Sequence, residues 1–249
     1  MNKPRVVVLT GAGISAESGI RTFRDAGGLW ENHRLEEVAT PQAFQRNPRL
    51  VRRFYNLRRR QLDDPEVAPN AAHHALVKLE QALGEDFLLV TQNVDDLHAR
   101  AGSRRLIAMH GELRKARCEG CGAIQPAVTD LDEHSPCDHC PARGRLRPHI
   151  VWFGELPLAM AEIEQALAQC TLFAAIGTSG SVYPAAGFVE LARRAGAETV
   201  EINLEPSDRH SAFNRHCIGP AGEQVPRWVA SVLDGNPEAA GTSGTRQAP

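Results

Sequence analysis

Arg5-Val-Val-Val-Leu-Thr10 runs directly into Gly11-Ala-Gly-Ile-Ser-Ala16, and this stretch decides the fold. The β-branched run is typical of a buried strand. The Gly-x-Gly-x-x-Ala spacing after it lets backbone N–H groups approach a pyrophosphate at the start of a helix. Taken alone this is a weak signal, because such glycines also occur in ordinary turns. The usual ribose-binding acid is ambiguous among Glu31, Glu36 and Glu37, which indicates a variant of the Rossmann site.

Segments with strand character alternate along the chain with segments that have helical spacing of apolar residues. The predicted strands are residues 5–10, 87–90, 106–109, 150–153, 171–176 and 198–204. The predicted helices are residues 41–62, 71–83, 160–169, 189–195 and 227–233. This alternation predicts an α/β fold, a Rossmann-like, doubly wound parallel sheet.

Composition places the chain among ordinary globular proteins. It has 249 residues, a hydrophobic share of 42% and a formal net charge of -2. That charge predicts no strong attraction to nucleic acid or to membranes. No run approaches the roughly twenty apolar residues needed to span a bilayer, and residues 1–10 are too short for a signal-peptide core. We therefore expect a cytoplasmic protein, and nothing in the sequence requires more than a monomer.

An arginine cluster, Arg52, Arg53, Arg58, Arg59 and Arg60, lies in the first long predicted helix. In a helix such a charge run is usually a solvated face, so we expect most of the cluster to be exposed.

Four of the six cysteines are paired in C-x-x-C spacing. Cys118-x-x-Cys121 and Cys137-x-x-Cys140 are separated by fifteen residues. This spacing predicts a zinc site, and four thiolates leave no open position for water, so the zinc would be structural. The segment between them has little apolar content and predicts a small zinc-binding module inserted around residues 112–149. Cys170 and Cys217 are predicted to be small buried hydrophobes.

Polar residues follow several predicted strands at the point where each strand ends. Gly11, Gln92, His110, Gly177 and Asn203 all lie at or near such ends. In a parallel sheet the residues just past the strand C-termini line the ligand crevice. The convergence of all five is a stronger indication than any single motif.

His110 is the candidate general base, because an imidazole titrates near neutral pH. The alternative is a structural role, as for most of the nine other histidines. Asn93 and Asp95 could engage ribose hydroxyls or a carboxamide, although Asn and Asp are also common in turns that end strands.

These residues, in this order, closely resemble the sirtuin family of NAD-dependent protein deacylases. The matching segments are residues 11–20, 22–24, 91–95, 110–111, the four paired cysteines, 151–155, 177–179 and 202–203. The resemblance covers nearly the whole chain except its end. It implies a catalytic domain over residues 1–234, with a helical insert around 32–65, followed by a disordered tail at 235–249.

The resemblance also implies roles for individual residues toward NAD, the co-substrate. Gly11, Ala12, Gly13 and Ser15 would hold phosphates, while Phe23 and Arg24 would cover the nicotinamide side. Gln92 and Asn93 would contact the reactive ribose, and Asp95 the carboxamide. Gly177, Thr178, Ser179, Asn203 and the backbone near Ala221 would hold the adenosine half. Val151, Phe153, Gly154 and Glu155 resemble the strand that pairs with an acyl-lysine peptide.

In the mechanism that the resemblance implies, the acyl oxygen attacks the ribose carbon that bears nicotinamide. His110 then removes a proton from a ribose hydroxyl, which attacks the resulting imidate. Water completes the reaction, giving free lysine, nicotinamide and O-acyl-ADP-ribose. NAD is consumed and not reduced.

Tyr55-Asn-Leu-Arg58 bears on which acyl group is removed. The i to i+3 spacing places the phenol and the guanidinium on one helix face, where they could bind a carboxylate. The alternative is a surface helix in an arginine-rich stretch. The pair resembles the Tyr-x-x-Arg pair of class III sirtuins, which accept succinyl- and malonyl-lysine, and Ala39 falls where that class keeps a small residue. We therefore favour a desuccinylase and demalonylase that retains deacetylase activity.

Three other functions stay open at this point. The chain could be a deacetylase only, or a mono-ADP-ribosyltransferase that uses the same NAD site. It could also be a non-catalytic NAD sensor or a zinc-dependent binding module, with the basic residues near the cysteines attracting an acidic partner. Those basic residues are Arg114, Lys115, Arg117, Arg143, Arg145 and Arg147.

Overall fold

The computed structural model describes residues 3–20, 29–30 and 33–235. The strands are β1 (Val6–Thr10), β2 (Leu29–Trp30), β3 (His33–Arg34), β4 (Phe87–Thr91), β5 (Leu106–Ala108), β6 (Gly111–Cys118), β7 (Ile124–Pro126), β8 (Leu146–Ile150), β9 (Leu172–Ile176), β10 (Glu198–Asn203) and β11 (Arg215–Ile218). The α-helices are α1 (Leu35–Val38), α2 (Pro41–Arg46), α3 (Pro48–Gln61), α4 (Ala71–Leu83), α5 (Leu97–Ala101), α6 (Met160–Gln169), α7 (Phe188–Arg194) and α8 (Ala221–Leu233). Phe23, Arg24 and the predicted tail from residue 236 onward lie outside the described residues.

The main sheet has six parallel strands in the order β11-β10-β9-β1-β4-β5. The chain builds outward from β1 through β4 to β5, then returns to the other side of β1 with β9. This reversal makes the space between β1 and β9 the topological switch point, where open α/β sheets bind ligands. The doubly wound parallel sheet predicted from the sequence is confirmed.

Both faces of the sheet are covered by helices, as alternate residues of β1 show. Val6 and Val8 belong to a core shared with α4 and α8, whereas Val7 and Leu9 face the core of α6 and α7. Alternation with a period of two is what a strand buried on both faces requires. Within the described residues, no helix is long and apolar enough to cross a membrane.

Some predicted elements were wrong. The predicted helix over residues 41–62 is two helices, because Pro48 lacks an N–H and the Asn47 side chain caps α3 by accepting from the Leu50 amide at 3.1 Å. The predicted strand at 150–153 is also wrong, since β8 ends at Ile150. The last helix begins at Ala221 and not at Arg227. The prediction began it after Pro226, but that proline lies inside the helix.

A second, antiparallel sheet of order β7-β6-β8 forms the base of the cysteine module, residues 111–150. Polar residues of α3 hold it. The arginine cluster was expected to be mostly exposed, and Arg53 and Arg60 are exposed, whereas two members are not. Arg52 and Arg59 are buried, and Arg52 Nε donates to the Leu146 carbonyl at 3.0 Å. Asn56 exchanges two hydrogen bonds with the Leu131 backbone, and Arg59 donates to the Thr129 carbonyl at 2.7 Å.

The cysteine module has a small apolar core, and its four paired cysteines converge. Their Sγ atoms all lie within 4.8 Å of one another, with Cys118–Cys140 at 3.8 Å and Cys121–Cys137 at 3.7 Å. A zinc ion with Zn–S bonds of about 2.3 Å sets its sulfurs about 3.8 Å apart, whereas a disulfide requires about 2.05 Å. Backbone amides also donate to the sulfurs of Cys118 and Cys137. The geometry fits a closed, structural zinc site.

We expect the purified protein to carry about one zinc ion per chain, and Cys121→Ser to lose most of it, because three thiolates no longer saturate the metal. Metal analysis by mass spectrometry, with limited proteolysis of the module, measures both effects. Cys170→Ala, a buried cysteine outside the cluster, serves as the control and should keep its zinc. Full zinc content in Cys121→Ser would contradict this assignment.

Two buried histidines lie behind the carboxyl ends of β1 and β4. The rings of His73 and His98 are 4.8 Å apart, and His98 Nε2 hydrogen-bonds Thr10 Oγ1 at 3.0 Å. Burial lowers the pKa of His73 to about 4 and that of His98 to about 3. Both rings are therefore neutral in the folded protein at any pH near neutrality.

These depressed values make stability depend on pH. An unfolded histidine binds a proton below about pH 6.5, while the folded one stays neutral, so stability falls as pH decreases from 6.5. Asp95, with its pKa raised to about 6 by burial, opposes this trend between pH 6 and 4. We expect His98→Gln to reduce the slope of unfolding free energy against pH by about 1.4 kcal/mol per unit between pH 6 and 4.

Urea unfolding at a series of pH values measures that slope in both proteins. Above pH 7 the difference in stability between them should be constant. Parallel profiles down to pH 4 would show that His98 is not held neutral.

Candidate active site

The carboxyl ends of three adjacent strands open onto one crevice. Thr10, at the end of β1, is in register with Thr91 of β4 on one side and with Ile176 of β9 on the other. The residues that follow them, Gly11, Gln92 and Gly177, therefore lie side by side. Asn203 ends β10 and His110 follows β5, so all five strand-end residues predicted from the sequence meet at this edge.

The glycine loop and the Gly177 loop touch backbone to backbone. The Gly13 amide donates to the Gly177 carbonyl at 2.8 Å. A Cβ on Gly11 would lie 2.7 Å from that same oxygen, and a Cβ on Gly13 would lie 2.7 Å from Gly177 Cα. Gly177 itself has φ +62°, which favours glycine. Only glycine permits this contact, which brings the two loops together at the switch point.

Asn93, Ser15 and Asp95 join the glycine loop to the end of β4. The Asn93 amide donates to the Gly11 carbonyl and to Ser15 Oγ, both at 3.1 Å. Ser15, which is fully buried, donates in turn to the Asp95 carboxylate at 3.1 Å. Burial raises the pKa of Asp95 to about 6. The three predicted cofactor residues thus form one connected polar network beneath the loop.

His110 is held in a defined tautomer. Its Nδ1 lies 3.0 Å from the Gln92 carbonyl oxygen. A carbonyl can only accept, so Nδ1 carries the proton and Nε2 presents its lone pair. Burial lowers the pKa of this imidazole, partly opposed by the carbonyl, so it is neutral near pH 7. A neutral imidazole with a free lone pair is the form that acts as a general base.

Thr178 orders the edge of the crevice between β4 and β10. Its hydroxyl donates to Gln92 Oε1 at 2.9 Å, and its carbonyl accepts from the Asn203 amide at 2.8 Å. Ser179 lies beyond, where its carbonyl accepts from the Asp208 amide.

Ala221 begins α8, and the next amide, that of Gly222, donates to the Glu17 carboxylate at 2.7 Å. The start of α8 is thereby tied to the short 3₁₀ helix Ala12–Ser18, which follows Gly11.

Residues 151–155 link His110 to the helical segment α1–α3. The Val151 amide donates to the His110 carbonyl at 2.8 Å, and the Phe153 amide donates to the Ala39 carbonyl at 3.0 Å. Gly154 has φ +90° and ends the extended run. The Glu155 carboxylate faces inward, where it accepts from Arg147 at 2.8 and 2.9 Å. These hydrogen bonds contribute to a pKa of Glu155 below its usual range, against the opposing effect of burial.

Tyr55 and Arg58 lie one turn apart on α3. The Tyr55 side chain is buried, and its oxygen accepts from Trp152 Nε1 at 2.9 Å. Burial raises the pKa of this phenol, so it stays protonated. The Arg58 guanidinium lies over the Phe54 ring at 5.6 Å from its centroid.

Several residues of this crevice escaped the sequence analysis. The Thr10 hydroxyl donates to Thr91 Oγ1 at 2.8 Å, and Thr91 Oγ1 accepts from the Asn93 backbone amide at 3.1 Å. Trp152 donates a hydrogen bond to Tyr55. Both threonines are the last residues of strands that we predicted to end in the crevice. Their position was a usable signal, whereas nothing in the sequence pairs Trp152 with Tyr55.

Comparisons with known proteins agree with this geometry. Residues 11–184 match the model of the Sir2 family. The NAD-dependent protein deacylase of Salmonella typhimurium is 60% identical over 235 residues, which cover 94% of this chain and 86% of that protein. The NAD-dependent protein deacylase of Pasteurella multocida is 60% identical over 229 residues, covering 92% and 98%.

Solved structures give the same result. A Sir2 homologue in complex with NAD has a TM-score of 0.82 and 37% identity, covering 92% of this chain and 90% of that one. A Sir2 protein bound to a myristoylated histone peptide has a TM-score of 0.71 and 34% identity, covering 94% and 92%. Since the family model spans more than half of the chain and the relatives match nearly all of it, this protein belongs to the Sir2 family.

Proposed function

We propose that this chain is an NAD-dependent protein-lysine deacylase that removes succinyl, malonyl and acetyl groups, giving free lysine, nicotinamide and O-acyl-ADP-ribose. The observation that carries the proposal is the tautomer of His110, fixed by the Gln92 carbonyl at the crevice edge. The deacylase names of relatives at about 60% identity support it.

The residues around the switch point fit a dinucleotide. The contact between Gly11, Gly13 and Gly177 leaves no room for a side chain, so a ligand can approach the backbone closely. The amides of Gly11 and Gly13 and the Ser15 hydroxyl are bonded within the protein, which fixes the shape of the loop. We propose that this loop, with Gly11, Ala12, Gly13 and Ser15, holds the phosphates. When bound, NAD would supply the ribose to whose hydroxyl oxygen the acyl group is transferred.

The remaining cofactor residues divide along the crevice. Gln92 and Asn93 contact the reactive ribose and Asp95 the carboxamide, with Phe23 and Arg24 over the nicotinamide. Gly177, Thr178, Ser179, Asn203 and the backbone at Ala221 hold the adenosine half. The proposal is supported by the hydrogen bonds that join Gln92, Thr178 and Asn203 into one row.

In this reaction His110 accepts a proton at Nε2 from a ribose hydroxyl. The Gln92 carbonyl stabilises the resulting imidazolium through Nδ1–H, because a hydrogen bond to the charged form strengthens as charge develops. The lowered pKa keeps the base unprotonated at neutral pH.

The acyl-lysine peptide lies along residues 151–155. The amides of Val151 and Phe153 bond to the carbonyls of His110 and Ala39, and the Trp152 amide bonds to the Glu155 carboxylate. These bonds fix the segment beside His110, where an extended peptide would lie. Phe153 and Gly154 line the lysine channel, while Glu155 anchors the segment through Arg147.

The acyl chain ends near α3, where Tyr55 and Arg58 bind its carboxylate and Ala39 leaves space. The carboxylate of a succinyl or malonyl group would accept a charge-assisted hydrogen bond from the Arg58 guanidinium, whereas an acetyl group has no carboxylate to do so. The protonated phenol of Tyr55 supports a role as hydrogen-bond donor. The four cysteines would hold a structural zinc that takes no part in this chemistry. The cytoplasmic location and the monomeric state stay predictions.

We expect His110→Gln to lower kcat about 10²–10⁴-fold, as loss of a general base does, while NAD still binds. Nicotinamide release with an acyl-peptide measures the rate, and calorimetry measures binding. His74→Gln, an exposed histidine on α4, should keep full activity. A His110→Gln enzyme of normal rate would remove the base from this mechanism.

Arg58→Met should lower the ratio of kcat/KM for succinyl- over acetyl-lysine in the same peptide about 10–100-fold, because a charge-assisted hydrogen bond is lost. The matched control is Arg53→Met, an exposed arginine on the same helix, which should leave the ratio at its wild-type value. If both acyl groups were affected equally in Arg58→Met, Arg58 would be structural and the acyl preference would be wrong.

A further inference from the structure

A second group of metal-ligating side chains lies in the main sheet and not in the cysteine module. Glu201 on β10 and His216 on β11 are paired in register, and His210 comes from the loop that joins these two strands. One ligand atom from each residue lies within 4.8 Å of the other two. The Nδ1 atoms of both histidines hydrogen-bond the same carboxylate oxygen, Glu201 Oε2, that of His216 at 3.2 Å. The three donors therefore converge on one point.

The Glu201 carboxylate is buried, with 1% of its side chain exposed. Its other oxygen accepts from the Ser207 backbone amide at 2.9 Å. Within the part of the chain that the structure describes, Glu201 forms no ion pair with a lysine or an arginine. Burial opposes ionisation, but hydrogen bonds from Ser207 and the two histidines hold the pKa of Glu201 below its usual range. A buried carboxylate needs a compensating positive charge, which either an imidazolium or a metal cation can supply.

The spacing of the donors fits a zinc ion. Zinc binds imidazole nitrogen and carboxylate oxygen at about 2.0–2.2 Å, which sets two such donors about 3.4 Å apart in a tetrahedral site. His216 Nδ1 and Glu201 Oε2 are 3.2 Å apart. The rings of His210 and His216 are stacked, with centroids 3.6 Å apart, and both present Nδ1 to the carboxylate. Small side-chain movements would close the three donors on one ion.

We propose that Glu201, His210 and His216 form a second zinc site, with a water molecule as the fourth ligand. Two histidines and one carboxylate are a donor set that zinc takes when it keeps one open position. The His210 side chain is 38% exposed and that of His216 is 14% exposed, so the open position faces solvent beside His210. This ion would exchange with the solution, whereas four cysteines enclose theirs.

A bound ion would fasten the loop of residues 204–214 to the sheet. The Ser207 amide of this loop bonds Glu201, and the Asp208 amide bonds the Ser179 carbonyl at 3.0 Å. Ser179 belongs to the loop that follows β9, so zinc would stiffen this wall of the crevice. The site itself depends neither on the acyl group nor on the proposed reaction.

The test titrates Zn²⁺ into protein dialysed against metal-free buffer. Calorimetry and metal analysis should show one further zinc ion per chain beyond what the dialysed protein holds. We expect His210→Gln and His216→Gln each to weaken this binding at least tenfold, because each replaces an imidazole ligand of zinc with an amide. His74→Gln, which removes an exposed histidine on α4, is the matched control and should bind the further ion as wild type does. Unchanged zinc content of the dialysed variants shows that the cysteine module is intact.

Nitrogen NMR of the histidine rings reports on the ligands directly. At saturation the Nδ1 signals of His210 and His216 should shift as metal-bound nitrogens do, and the signal of His74 should stay in place. The inference is overturned if no further ion binds, or if both glutamine variants bind it with wild-type affinity. Equal weakening in His74→Gln would mean adventitious binding to surface histidines and would overturn it as well.

Discussion

The contact between the two glycine loops is the constraint on which the rest of the crevice depends. A Cβ on Gly11 or Gly13 would lie 2.7 Å from atoms of Gly177, too close for any side chain. The Gly13 amide also donates a hydrogen bond to the Gly177 carbonyl. This contact joins the ends of β1 and β9, beside the end of β4; Gln92 and Asn93 follow β4, and Thr178 follows β9. Because those side chains then bond to one another and to the loop, a shift of one loop would displace the entire polar row.

A second set of hydrogen bonds organises the opposite wall. The amides of Val151 and Phe153 bond to the carbonyls of His110 and Ala39, so one segment joins the proposed base to the helical segment α1–α3. The His110 tautomer is fixed by the Gln92 carbonyl, which can only accept, and the Tyr55 oxygen accepts from the Trp152 indole N–H, which can only donate. The crevice is ordered by donors and acceptors of unambiguous type, which suits a site that must control the direction of a proton.

The sequence allowed much of this site to be predicted, because β-branched runs identify buried strands and the residues after their ends must meet. Gly11, Gln92, Gly177 and Asn203 follow from that rule alone. The burial of Arg52 and Arg59 could not be predicted, since composition indicates a solvated face and the carbonyls they bind come from a distant loop. β6 was missed because its charged residues hide the alternation of buried and partly exposed positions that marks a strand. The bond between Trp152 and Tyr55 joins residues 97 positions apart, which no local pattern reveals.

The attachment of the cysteine module has a consequence for the metal. The module is bonded to α3 through Arg52, Asn56 and Arg59, and the same helix carries Tyr55 and Arg58 on intervening positions. An ion in the cysteine cluster takes no part in proton or acyl transfer, but it holds the carbonyls against which this helix is seated. The module also adjoins His110 and Val151, because β6 begins at Gly111 and β8 ends at Ile150, so loss of the ion would disturb both walls of the crevice together.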